Sequence, residues 1–133
     1  MARTPGSPLT TSAADLVAAG NAVAPPLSLD DAAALLDEDS ALFVDIREPK
    51  ELEREGKIPG AFQAPRGMLE FWVDPASPYY RPELDSGRRL VLYCGSAWRS
   101  ALAAKALHEM GFDDVTHVAG GFSAWKKAGL PVE

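Results

Sequence analysis

An α/β domain built on a parallel sheet is the fold class this sequence predicts, and three observations carry that reading. The runs ALFVDI (Ala41 to Ile46), LVLY (Leu90 to Tyr93) and VTHV (Val115 to Val118) lack the polar alternation of a strand with one wet face, which suits strands covered on both sides. Segments rich in helix formers, bounded by caps and glycines, alternate with them. The length, 133 residues with 47% hydrophobic and 24% charged, is that of one globular domain rather than of a disordered or coiled-coil chain.

The elements follow in chain order. Residues 1–10, with Pro5, Gly6, Ser7 and Pro8, have little to bury and read as a flexible N-terminal tail. Residues 11–26 read as a helix and linker: Ser12 is a candidate N-cap, Gly20 stands as the helix stop, and Pro25 and Pro26 forbid continuation. Ser28, followed three residues later by Asp31, resembles a capping box ahead of the helix formers AAALL. After the first buried strand, Pro49 opens a helix through ELERE that Gly56 ends. Residues 66–89 start helix-like, then turn Pro-rich and aromatic, as a long surface excursion would. Between the second and third strands, SALAAKALHEM is a helix whose Leu102, Ala106 and Leu107 share a face and which Gly111 terminates. A last helix, FSAWKKA, stops at Gly129 and Pro131.

Composition narrows the function classes. One cysteine, Cys94, excludes an internal disulfide and a Cys-rich zinc site and leaves that sulfur free for other chemistry. A formal charge of −6 disfavours nucleic acid and anionic membranes as partners. With no long apolar run and no signal-like start, the expected location is soluble and cytoplasmic.

The chemistry concentrates in YCGSAWRSALAAKAL, Tyr93 to Leu107, where the cysteine stands between a buried strand and a helix, the ligand-binding end of open α/β sheets. Gly95, Ser96 and Ala97 permit a tight loop whose N–H groups turn inward, and the helix N-terminus adds positive potential. Such a nest favours a thiolate at Cys94, and Arg99 adds a permanent charge and a donor fork. A packing cysteine requires none of these neighbours. His108 and His117 have no Cys or carboxylate at ligand spacing, so neither reads as a metal ligand.

The sequence resembles the rhodanese-like family of single-domain sulfurtransferases in four segments: DIREPKEL (Asp45 to Leu52), GKIPGAFQAP (Gly56 to Pro65), YCGSAWRSALAA (Tyr93 to Ala104) and GGFSAWKKAGLPV (Gly120 to Val132). With the strands between them they span residues 27–133. The resemblance implies a single rhodanese-like domain, a five-stranded parallel sheet with helices on both faces. It implies an enzyme of the thiosulfate sulfurtransferase (rhodanese) type, in which Cys94 takes the sulfane sulfur of thiosulfate or another persulfide donor. The N–H groups of Gly95, Ser96, Ala97, Trp98, Arg99 and Ser100 would cradle the persulfide, and a thiol or cyanide would remove the sulfur. No metal and no organic cofactor is implied.

The spacing from Cys94 to Arg99 is C-x4-R, the length associated in that superfamily with sulfur transfer; the related phosphatases and arsenate reductases carry one residue more, as a phosphate or arsenate group needs a wider cup. Where many members place a basic residue after the cysteine this chain has Gly95, which weakens the case for thiosulfate and keeps a second reading alive, a sulfur relay or binding module loaded by a protein persulfide donor. Trp98 either lines a pocket for an apolar thiol or covers the helix start. Lys57, where the family pattern has His, is either a rim cation or a solvated charge. Arg66 is a candidate guide for an anionic substrate, and Asp45 and Arg47 read as scaffold.

Overall fold

Four strands form one wholly parallel sheet in the computed structural model, which describes residues 2–133. They are β1 (Ala41–Asp45), β2 (Phe62–Gln63), β3 (Arg89–Tyr93) and β4 (Val115–His117), in the spatial order β2-β1-β3-β4. The fifth strand is reduced to one parallel bridge beside β4, Leu27 with Val118. Leu27 N–H donates to the His117 carbonyl at 2.8 Å, and Ala119 N–H donates to the Leu27 carbonyl at 2.9 Å. Pro25 and Pro26 precede that residue and Ser28 caps a helix directly after it, so the chain has room for a single ladder position.

Six helices surround the sheet: α1 (Ala13–Val23), α2 (Leu29–Ala34), α3 (Pro49–Glu55), α4 (Leu69–Val73), α5 (Trp98–Met110) and α6 (Gly121–Lys127). The runs without polar alternation are buried on both faces. Leu42, Val44, Leu90 and Leu92 pack with Leu69, Ala103, Ala104 and Leu107 on one side, while Phe43, Val91 and Tyr93 pack with Ala32, Phe122 and Trp125 on the other. At roughly 25 cal/mol per Å² of apolar surface removed from water, these two layers dominate the stabilisation.

Local signals behave as their chemistry demands. Ser12 Oγ accepts from Asp15 N–H and the Asp15 carboxylate accepts from Ser12 N–H, both at 3.0 Å, a full capping box. Ser28 makes only half of one, accepting from Asp31 N–H at 3.1 Å. Pro49 begins α3 and Gly56 ends it with φ 84°.

Two expectations are corrected. Gly20 lies inside α1, which continues to Val23, and it is buried; a side chain there would strike the Ala101 carbonyl, so the glycine sets the close approach of α1 to α5 rather than a stop. On α5 the buried residues are Ser100, Ala101, Ala103, Ala104 and Leu107, with Leu102 and Ala106 only half-buried. Because α5 is wedged between the sheet and α1, four of its five buried positions are Ser or Ala, and Leu107 is the one large side chain among them. The excursion carries α4 and two 3-10 turns, Arg66–Met68 and Pro82–Asp85, and buries Leu69, Val73 and Leu84. Trp72 packs under Arg81 at 4.3 Å, whereas Phe71 and Tyr79 form an exposed edge-to-face pair at 6.4 Å.

Candidate active site

Cys94 follows the last residue of β3, and three residues separate it from α5. It is fully buried. Ala97, the residue before the helix, sits in the left-handed region at φ 77°. That turn aims its N–H at the sulfur, 3.2 Å from Sγ. The N–H groups of Trp98, Arg99 and Ser100 open α5, where amides have no intrahelical acceptor, and among the described residues nothing else engages them. With the helix dipole they give the start of α5, next to the sulfur, a positive potential.

The loop is braced from α6. Gly120 and Gly121 have φ of 72° and 66°, and a Cβ on Gly121 would lie 2.7 Å from the carbonyl oxygens of Cys94 and Gly95. The bare glycine lets Phe122 N–H donate to the Cys94 carbonyl at 2.7 Å and Ser123 N–H to the Gly95 carbonyl at 3.1 Å. Two of the loop's carbonyls are thereby engaged by α6, while the Ala97 N–H faces the sulfur.

Arg99 binds across the loop to α3 and also interacts with Cys94. Its Nη1 and Nη2 each donate to one Glu51 carboxylate oxygen at 2.9 Å, joining the loop to α3. The hydrogen bond from Arg99 holds Glu51 at about 2, far below the usual carboxylate range, and Glu51 in turn raises Arg99 above its ordinary value. A side chain at Gly95 would meet this pair, its Cβ 3.4 Å from Arg99 Nη2. Ser96 and Trp98 are exposed, Trp98 to 52%.

Ser100 is fully buried, its Oγ 3.7 Å from Cys94 Sγ and 2.9 Å from His117 Nδ1. His117 is fully buried too, and its Nε2 lies 2.8 Å from Asn21 Oδ1 on α1. Burial pushes the His117 imidazole down to about 4, so it is neutral at physiological pH. Neither His117 nor Asn21 was singled out by sequence as part of the site: they are far apart in the chain, and the only signal was a lone polar ring in a buried strand.

The other singled-out residues fall elsewhere. Arg66 is held by Glu70 at 2.6 Å, and Lys57 Nζ donates to the Ala61 carbonyl at 3.4 Å; neither hydrogen-bonds to the Cys94 loop. Asp45 and Arg47 are a fully buried bidentate pair at 3.0 and 2.7 Å, the guanidinium lying over the Phe122 ring at 4.2 Å and donating to the Gly56 carbonyl. His108 Nε2 lies 2.9 Å from the Val115 carbonyl. A cavity of about 470 Å³, lined by Leu84, Leu90, Met110 and Phe112 with Asp85, Arg88, Asp113 and Asp114, opens at the opposite end of β3, away from Cys94.

Residues 28–128 match the rhodanese-like domain family. A sulfurtransferase of Allochromatium vinosum is 36% identical over 98 residues, 74% of this chain and 83% of that protein. The thiosulfate sulfurtransferase GlpE of Shewanella oneidensis is 35% identical over 102 residues, 77% of this chain and 92% of that one. Among solved structures, a protein of unknown function from Rhodopseudomonas palustris, described as a possible tyrosine phosphatase, superposes with TM-score 0.92 at 43% identity, covering 98% of this chain and 100% of the other. The polysulfide-sulfur transferase homodimer of Wolinella succinogenes superposes with TM-score 0.66 at 33% identity, covering 88% and 83%. With its parallel sheet, its cysteine loop at the end of β3 and these relatives, the chain belongs to the rhodanese-like domain family.

Proposed function

We propose that the protein is a sulfurtransferase in which Cys94 thiolate attacks the sulfane sulfur of a donor, releases the donor's remainder, carries the sulfur as a persulfide and yields it to a thiol or to cyanide. The observation that carries this reading is a buried Sγ 3.2 Å from the Ala97 N–H at the start of α5, whose first-turn amides have no other acceptor among the described residues. The relatives described as sulfurtransferases support the same chemistry.

The charges at the rim favour a donor other than thiosulfate. Gly95 contributes no cation, and the Arg99 fork is occupied by Glu51, so an anionic sulfonate would approach a neutralised pair. A thiol persulfide, or a persulfide on a partner protein, meets no such opposition. The assay is thiocyanate formation from thiosulfate and cyanide, with Cys94→Ser beside wild type. The expected result is a Cys94-dependent rate that saturates only at high thiosulfate; a low KM would overturn the donor preference, and an equal rate in Cys94→Ser would overturn the function.

The resemblance to the possible tyrosine phosphatase raises the phosphatase reading, and Glu51 speaks against it. A phosphatase needs a protonated acid for its leaving group and a free arginine for the phosphoryl oxygens. Glu51, held at about 2, is ionised at neutral pH, and Arg99 is spent on it. Aryl phosphate is expected to be left unhydrolysed.

A further inference from the structure

Cys94 is fully buried. A continuous chain of polar atoms leads from it to the half-buried Asn21 on α1. Sγ faces Ser100 Oγ at 3.7 Å, that oxygen faces His117 Nδ1 at 2.9 Å, and Nε2 faces the half-buried Asn21 amide at 2.8 Å. The three elements involved, α5, β4 and α1, meet at this point.

A neutral imidazole has one N–H and one lone pair, so the chain has two self-consistent states. In the first, Asn21 Oδ1 accepts from Nε2–H, Nδ1 accepts from the Ser100 hydroxyl, and Ser100 turns a lone pair towards sulfur; this satisfies a thiol S–H. In the second, the Asn21 amide is turned over so that Nδ2–H donates to Nε2, Nδ1–H donates to Ser100 Oγ, and the Ser100 hydroxyl donates to sulfur; this satisfies a thiolate. Asparagine can present either a donor or an acceptor at one place, which aspartate and leucine cannot.

We propose that Asn21, His117 and Ser100 form a reversible hydrogen-bond relay that couples the protonation state of Cys94 to the tautomer of His117. The proton balance is simple. The Sγ proton passes to Ser100 Oγ, the Ser100 proton passes to His117 Nδ1, and the His117 Nε2 proton leaves to water at half-buried Asn21 as the amide turns over, so one proton is released and no bond other than to hydrogen changes. Ser100 acts on the sulfur directly, whereas His117 and Asn21 are positioning residues that act through it. Of the charged groups around the loop, Arg99 is bound to Glu51 of α3 and also interacts with Cys94, while Asp45 and Arg47 at the end of β1 are bound to each other. Asn21 stands on α1, ahead of the matched residues 28–128, so the relay gives that helix a part in the chemistry.

The use of the relay rests on Cys94 being the nucleophile, but its detection does not depend on turnover. The experiment is nitrogen NMR of the histidine rings of the intact protein across the pH midpoint of Cys94 alkylation. His108, whose Nε2 donates to the Val115 carbonyl outside the relay, supplies the second ring signal. The expected result is that His117 stays neutral while Nδ1 and Nε2 exchange their N–H and lone-pair signals, and that Cys94→Ala abolishes the exchange. One tautomer throughout, or an exchange that persists in Cys94→Ala, overturns the proposal. As a second arm, Ser100→Ala is expected to raise the alkylation midpoint by about one pH unit, the worth of one hydrogen bond to the thiolate. Asn21→Leu should raise it also, with no further rise in the double variant; fully additive shifts overturn the coupling. A tautomer exchange in a protein that takes up no sulfur would leave the relay standing and sink the proposed function.

Discussion

Ala97 is the single non-glycine with a positive φ among the described residues, and its N–H is the donor to Cys94. A left-handed alanine costs about 1 kcal/mol, which the loop tolerates because the same turn faces the amide to the sulfur. Ala97→Gly relieves the strain and keeps the N–H, so urea unfolding is expected to show stability unchanged or raised by up to about 1 kcal/mol with sulfur transfer retained. Ala97→Val is expected to lower stability by about 1–2 kcal/mol and to slow transfer, since a branched side chain resists this conformation. Glu51→Gln tests the rim. It removes the charge that neutralises Arg99, and the KM for thiosulfate is expected to fall about three- to tenfold; an unchanged or higher KM would contradict the electrostatic reading of donor preference. Cys94, its loop and Arg99 were legible in the sequence because their spacing along the chain is itself the signal. The turning of Arg99 towards Glu51 was not, since an ion pair across elements leaves no local pattern.

At the scale of elements, helix starts were legible and one helix end was not. Ser12, Ser28 and Pro49 act within a turn of their own positions, so their roles can be read locally. Gly20 was misread as a stop because its requirement comes from Ala101, a residue of another helix that no local rule sees. Gly20→Ala is expected to push α1 away from α5 and to cost about 1–3 kcal/mol in urea unfolding; an unaltered stability would mean the helices have room to part. The Gly120–Gly121 pair was legible as a mark of the fold, and its physical reason is the close passage of α6 under the Cys94 and Gly95 carbonyls.

For the whole molecule, the parallel sheet and its two apolar layers were legible from three runs that lack polar alternation. The fifth strand shrank to Leu27 because proline on one side and a helix cap on the other leave it no length. Buried His117 gives the fold an acid sensitivity. Its folded-state value, about 4, lies below the 6.5 of an ordinary histidine, so the unfolded chain binds the proton more readily. That contribution to stability is complete above pH 6.5 and is lost as the pH falls towards 4, on the order of 3 kcal/mol in all. Urea unfolding at pH 7 and pH 4.5 should show the loss, and His117→Asn should flatten it; an equal loss in the variant would assign it to other groups.

The most direct measurement is the intact mass of the protein after exposure to a sulfane sulfur donor, with Cys94→Ser in parallel. Wild type is expected to gain the mass of one sulfur, removable by cyanide, and Cys94→Ser to gain none. Equal gains in both proteins, or no gain in wild type with any thiosulfate, thiol persulfide or protein persulfide donor, would contradict the assignment of Cys94 as the sulfur carrier.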